Sequence, residues 1–229
     1  MLRCKEVTAD VVAVDKTLIE ARGPLWHKSD RARNRIPKGL RGVDRDSTWG
    51  YSPYRGWVQG YSLELVVAAG VGGIPVPLLA SADTASAPEN LTFAEKVASL
   101  PRRTRYVVGD GRYDDEALAQ ALAEKQEGQR LVTPPTQWPG ASTSIARLRR
   151  IIFYLEPQGQ ELYARRKVAV EPTFGRLKGL FEMGPAWMYG LANNRALLLA
   201  MVYCYQLLLY YNWRRRRRLN HVKHLLDGW

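Results

Sequence analysis

Two acids in this chain stand where acids are uncommon. Asp15 interrupts the β-branched run DVVAVDKTLIEA, and Asp110 ends the short apolar run RYVVGD just ahead of Gly111. A carboxylate inside a buried strand is costly unless a cation or hydrogen-bond donors meet it. Carboxylates that converge from neighbouring strands can hold two hard divalent ions roughly 3.5–4 Å apart, one activating an attacking oxygen and the other stabilising the leaving one. That is the chemistry of two-metal phosphoryl transfer. It asks for a third acid, supplied by a helix packed over the same sheet edge. Taken alone, Asp110 also fits an ordinary strand-end turn.

The surrounding elements have to bring these acids together. Residues 10–21 read as a buried strand carrying Asp15, followed by a polar, basic loop from Pro24 to Asp46. GYSLELVVAA alternates as a second strand and turns at Gly70, Gly72 and Gly73 into IPVPLLASA, where Pro75 and Pro77 confine the returning strand to an edge. A helix is predicted over 89–100, stopped by Pro101, and the Asp110 strand follows. Asp114 reads as the N-cap of DEALAQALAEKQ, closed by Gly128, and RLVTPP as a fifth strand. Helical pieces are predicted at IARLRRIIFYLE, from Gln160 to about Phe181 despite Pro172 and Gly175, and over the apolar segment from Ala196 to Trp213. Three meander strands, helix, strand, helix, strand and closing helices are the order of an α/β, ribonuclease H-like fold: a five-stranded mixed sheet flanked by helices. The domain is expected over residues 1–213, with 214–229 as a basic C-terminal tail.

Composition narrows the partners. The 229 residues carry a formal charge of +12 and 46% hydrophobic residues, enough for one sizeable core and a strong attraction to a polyanion. Nucleic acid is the first candidate and an anionic membrane surface the second. The segment 196–213 falls short of a spanning helix and contains Gln206 and Asn212, so a buried core helix is preferred to membrane insertion. Cys4 and Cys204 are far apart and form no metal-binding spacing, which fits a reducing cytoplasm. No signal-peptide segment is seen at the start. His27, His221 and His224 accompany no nucleophile motif, and there is no Gly-rich phosphate loop, which argues against a hydrolase triad and a nucleotide-driven motor.

The string YARRKVAVEPTFGRLKG, residues 163–179, resembles the Tyr-x2-Arg, Glu-x6-Lys signature of insertion-sequence DDE transposases, in particular the branch with a Glu-Pro-x-Phe-Gly-x-x-Lys core. VVAVDKTLIEA and VVGDGRYDD are similar to that family's first- and second-acid strands, and DSTWGYSPYRGWVQGYSLEL to the stretch preceding its second strand. The resemblance spans about residues 10–200. It implies Asp15, Asp110 and Glu171 as catalytic and metal ligands for two Mg²⁺ or Mn²⁺ ions, and Tyr163, Arg166 and Lys178 as contacts to the phosphates of the transposon end. On a regular helix Glu171 and Lys178 fall within roughly 20° of each other, Lys167 about 40° from Glu171 and Arg166 about 140°. Lys167 is thus the better-placed cation if the helix is regular throughout; either the helix begins after Arg166, or both cations serve.

The implied reaction is hydrolysis at the ends of the element, then attack of the freed 3′-OH on target DNA by a homodimer bound to DNA in the bacterial cytoplasm and its nucleoid. Against the family pattern, the first acid strand lies about ten residues from the start, from which an N-terminal DNA-binding region is expected to be lacking; Lys16 follows Asp15 where Gly is common, and Glu64 stands where His is frequent. An inactive or truncated remnant that only binds DNA is the main alternative. Trp138 could stack on an unpaired base, although loop packing is favoured for it.

Overall fold

The computed structural model describes residues 7–136 and 144–225. Among them the chain folds into three layers: helices on both faces of a mixed sheet with the order β2-β3-β1-β5-β6, and β4 paired to β3 beyond that path. The strands are β1 (Val11–Glu20), β2 (Thr48–Ser52), β3 (Gly56–Ala68), β4 (Pro77–Thr84), β5 (Tyr106–Val108) and β6 (Arg130–Val132). The helices are α1 (Lys28–Ala32), α2 (Glu89–Ala94), α3 (Glu116–Lys125), α4 (Ile145–Leu155), α5 (Pro157–Phe181) and α6 (Leu191–Arg214). This is the ribonuclease H-like arrangement.

Alternation along β1 divides the core. Val11, Ala13 and Ile19 join the apolar layer beneath α5 and α6, whereas Val12 and Val14 join the layer beneath α2 and α3. Asp15 falls in the first set and Lys16 in the second. β1 pairs antiparallel with β3, Asp15 opposite Leu65, and parallel with β5. Gly60 is needed where β3 meets the end of β1, because a Cβ there would lie 1.9 Å from the Ile19 carbonyl oxygen.

Several boundaries differ from the sequence expectation, each for a local reason. The short α1 orders part of the region read as loop, and the five expected strands are joined by a sixth, β2, in a stretch given no element; β2 gains its hydrogen bonds from the N-terminal half of β3, a partner invisible to local pattern. The N-cap of α3 is Asp115, whose carboxylate accepts from Leu118 N, while Asp114 is claimed by Arg147 and Arg150 at 2.6 and 3.4 Å. Helix α5 starts at Pro157, a favourable first-turn position. It runs through Pro172, beside which the Thr173 hydroxyl donates to the Ala169 carbonyl at 2.7 Å. The proline-bearing β4 is an edge strand, as expected.

Helix α6 is long and apolar enough, by length and composition, to cross a membrane. One face of it packs on the sheet: Leu198, Met201, Val202, Tyr205 and Leu209 are buried in the main apolar layer, and Gln206 donates to the Pro77 carbonyl on β4 at 2.8 Å, while Tyr203, Leu207, Tyr210 and Tyr211 on the other face are exposed. Leu219 and Val222, within the segment read as a tail, are buried in the same layer. Asn212 anchors that return by donating to the carbonyls of Leu219 and His221, both at 3.2 Å. Trp138 lies outside the described residues.

Candidate active site

The parallel register of β1 and β5 sets Ala13 opposite Val108. Asp15 stands two residues beyond Ala13 and Asp110 two beyond Val108, so both carboxyls leave the same sheet face at the same level. Both converge on one cation. Arg166 Nη2 lies 2.8 Å from Asp15 Oδ2 and 3.7 Å from Asp110 Oδ2.

The buried stripe of α5 explains why Arg166 is there. Leu162, Ala169, Val170, Thr173 and Leu177 face the sheet, and Arg166 falls in their midst at helical spacing. Packing of that stripe drives the guanidinium onto β1. Lys167, one residue on, is exposed. α5 is helical well before residue 166, so the helix does not begin after it; Arg166 meets the acids while Lys167 faces outward. Twelve residues further along, Lys178 Nζ donates to Thr17 Oγ1 at 2.9 Å, on the same face of β1 as Asp15. Tyr163 is half-buried with its ring edge-on to Tyr154 at 5.3 Å.

Burial pushes the Asp15 carboxyl up to about 6, the Arg166 charge opposing the shift and the Asp110 charge adding to it. Although 18% of its side chain stays exposed, the apolar wall around it dominates. Burial disfavours the Arg166 cation, but the charges of Asp15 and Asp110 outweigh this and hold it above its ordinary value. For Lys178, burial and then the nearby Arg55 charge lower the ammonium.

Glu171 takes a different position. About 140° around the helix from Arg166, it is exposed, and among the described residues no three His, Cys, Asp or Glu side chains gather closely enough to hold a metal. The structure brings together Asp15, Asp110 and Arg166, with Tyr163 and Lys178 flanking them, and leaves Glu171 and Lys167 outside.

The sequence did not point to Glu89. This buried first residue of α2 meets Arg112 at 2.7 Å and Lys16 at 3.5 Å. Burial raises its carboxyl, Lys16 opposes that, and Asp110 adds to it. Lys16, the unusual neighbour of Asp15, is thus held on the opposite sheet face, with Nζ also donating to the Ala87 carbonyl at 2.8 Å. Behind it Glu64 accepts from Lys96 at 2.6 Å, Thr92 at 2.8 Å and Tyr113 at 3.1 Å. Only the oddity of a lone Glu in the apolar run of β3 could have signalled that network. A cavity of about 770 Å³ between α3, β6 and α4 includes none of the expected site residues.

A ribonuclease H-like sheet with one acid on β1 and a second just past the end of its parallel neighbour β5 is the architecture of a polynucleotidyl-transfer domain. The chain belongs to the transposase DDE domain family, whose model matches residues 7–207. No curated protein and no solved structure matches it.

Proposed function

We propose that this chain is the catalytic domain of an insertion-sequence transposase that cleaves DNA at the ends of its element and joins the freed 3′-OH to target DNA. The observation that carries this is the Asp15–Arg166–Asp110 arrangement at the matched edge of β1 and β5. Two oxygen-donor carboxylates already converging on a cation suit a hard divalent ion. Asp15, Asp110 and Glu171 would hold Mg²⁺ or Mn²⁺, which when bound supplies an activated oxygen nucleophile and stabilises the leaving oxygen.

The chain's own residues account for the rest. Asp15 and Asp110 are kept parallel and close by strand register. Glu171 and Arg166 point about 140° apart on one helix, and turning all of α5 would pull Leu162, Ala169, Val170 and Leu177 out of the core, so Glu171 would join the acids by a local rearrangement of α5 around Pro172, where the helix lacks a backbone donor. Tyr163, Lys167 and Lys178 line the flank along which the transposon end would lie, and a net charge of +12 favours that approach. Two copies acting on DNA in the cytoplasm complete the proposal.

A second reading is favoured by one observation, the exposed Glu171: a remnant that binds DNA without cutting it. Nicking of supercoiled plasmid separates the two. Activity seen with Mn²⁺ and abolished by Asp110→Asn supports the enzyme. Salt-sensitive DNA binding without any nicking by the unaltered chain supports the remnant.

A further inference from the structure

β2 and β3 form a hairpin whose three-residue loop, Pro53–Tyr54–Arg55, closes at Gly56 with φ of +70°, a left-handed position suited to glycine. The tip carries unusual side chains. Tyr54 is 97% exposed and Trp57 58%. Tyr51 stands opposite Trp57 in the register, with ring centroids 5.4 Å apart in an edge-on pair. Lys28 Nζ lies 2.8 Å from the centroid of the Trp57 ring. A solvent-exposed hairpin gains no core burial from such rings, and a short polar turn would close it equally well.

The hairpin is moored to both acid-bearing segments. Arg112, two residues after Asp110, donates from Nη2 to the Tyr51 carbonyl at 3.1 Å. Arg55 donates to the Leu18 carbonyl, three residues after Asp15, at 3.3 Å and pairs with Glu20. Its charge is also felt by Lys178. A cleft of about 390 Å³ opens between β2 and the Asp110 turn, lined in part by Trp49, Tyr51, Lys16 and Arg112. By alternation along β3, Trp57 shares the sheet face of Leu65, the partner of Asp15, about 26 Å away by strand rise.

We infer that this hairpin is a docking surface for unpaired DNA bases running out from the cleavage site, with Tyr54 and Trp57 as stacking platforms and Lys28 and Arg55 meeting the backbone. Exposed rings interleaved with cations are what single strands use, since an unpaired base offers its face to a ring while duplex bases remain stacked on one another. The charge of the tip complements a polyanion, and its mooring ties it to the two segments that carry the acids. The inference rests on the transposase reading for its DNA substrate.

The test uses the full chain and fluorescein-labelled duplexes that are either blunt or extended by an eight-nucleotide 3′ tail, at fixed salt. The tailed duplex should bind five- to tenfold more tightly. Tyr54→Ala and Trp57→Ala together should reduce that preference to within twofold while leaving blunt-duplex affinity unchanged; Tyr54→Ala alone, at a side chain exposed nearly throughout, should give a partial loss without altering Tm. 5-Iodouracil placed in the tail should photo-crosslink to Tyr54 or Trp57. Equal affinity of the unaltered chain for both duplexes, or crosslinks confined to other segments, overturns the inference while leaving DNA cleavage untouched. Absence of binding to either duplex overturns it together with the transposase reading.

Discussion

Arg166 and Asp15 are 151 positions apart in sequence, yet Nη2 and Oδ2 meet at 2.8 Å. The same nitrogen stands 3.7 Å from Asp110, so a single guanidinium offsets the repulsion between two carboxylates that strand register forces together. Arg166 thereby serves as a cation shared by the two carboxylates.

Asp15 should make metal-free stability depend on pH. Its folded value of about 6 lies above the ordinary 3.8, so the folded state holds the proton more tightly than the unfolded one. Below pH 4 both states are protonated and nothing is lost. Between pH 4 and 6 stability falls as pH rises, by about 3 kcal/mol at most for a shift of this size. Urea denaturation in EDTA from pH 4 to 7 should show the decline, and Asp15→Asn should flatten it. An unchanged slope in the variant would assign the dependence to other groups.

Removal of Arg166 should expose the acids to each other. Arg166→Gln is expected to cost about 1–3 kcal/mol at pH 7 in EDTA, because a partly buried charge loses its partner, and less at pH 5, where Asp15 takes up a proton. Mn²⁺ should restore part of the loss in Tm. A variant as stable as the parent at both pH values would show that the guanidinium does not compensate the pair.

Glu171→Gln separates ligand from surface charge. Exposed substitutions change stability by about 0.5 kcal/mol or less, so Tm should hold. Loss of two or more orders of magnitude in Mn²⁺-dependent nicking, with DNA affinity retained, would identify it as the third acid. Full activity would leave Asp15 and Asp110 without it.

Gly175 offers a stability–function comparison. No atom lies within 4 Å of the Cβ it lacks, so nothing inside the chain requires glycine there. Gly175→Ala should stabilise the helix by about 0.5–1 kcal/mol. A higher Tm together with weaker binding of transposon-end DNA would mean that this flank of α5, one turn after Glu171, must stay bare for an approaching backbone. A higher Tm with unaltered binding would show that it need not.

The buried Glu64–Lys96 pair should behave as a structural unit. Lys96→Met alone strands a carboxylate whose side chain is 2% exposed and should cost about 3–5 kcal/mol, whereas Glu64→Leu with Lys96→Met should recover most of that loss. Chemical denaturation of the single and double variants checks it.

Much of this was legible in local pattern. The β-branched run fixed β1 and put Asp15 inside it, the paired prolines put β4 at an edge, and the apolar segment at 196–213 became the core of α6. Hairpin strand β2 escaped because its hydrogen bonds depend on β3, and Asp114 was misjudged as a cap because the arginines that claim it come from α4, more than thirty residues on. Glu89 gave no signal, since an acid at a helix start is ordinary.

By itself the sequence determined the order of elements, the two strand-borne acids and the family signature on α5, because these depend on residue type and on spacing within one element. Only the tertiary structure decided which side chains meet. Parallel register levelled Asp15 with Asp110, and the apolar stripe of α5 chose its rotation. That rotation turned Arg166 inward and Glu171 outward, since two residues five apart on one helix cannot both face the same strand.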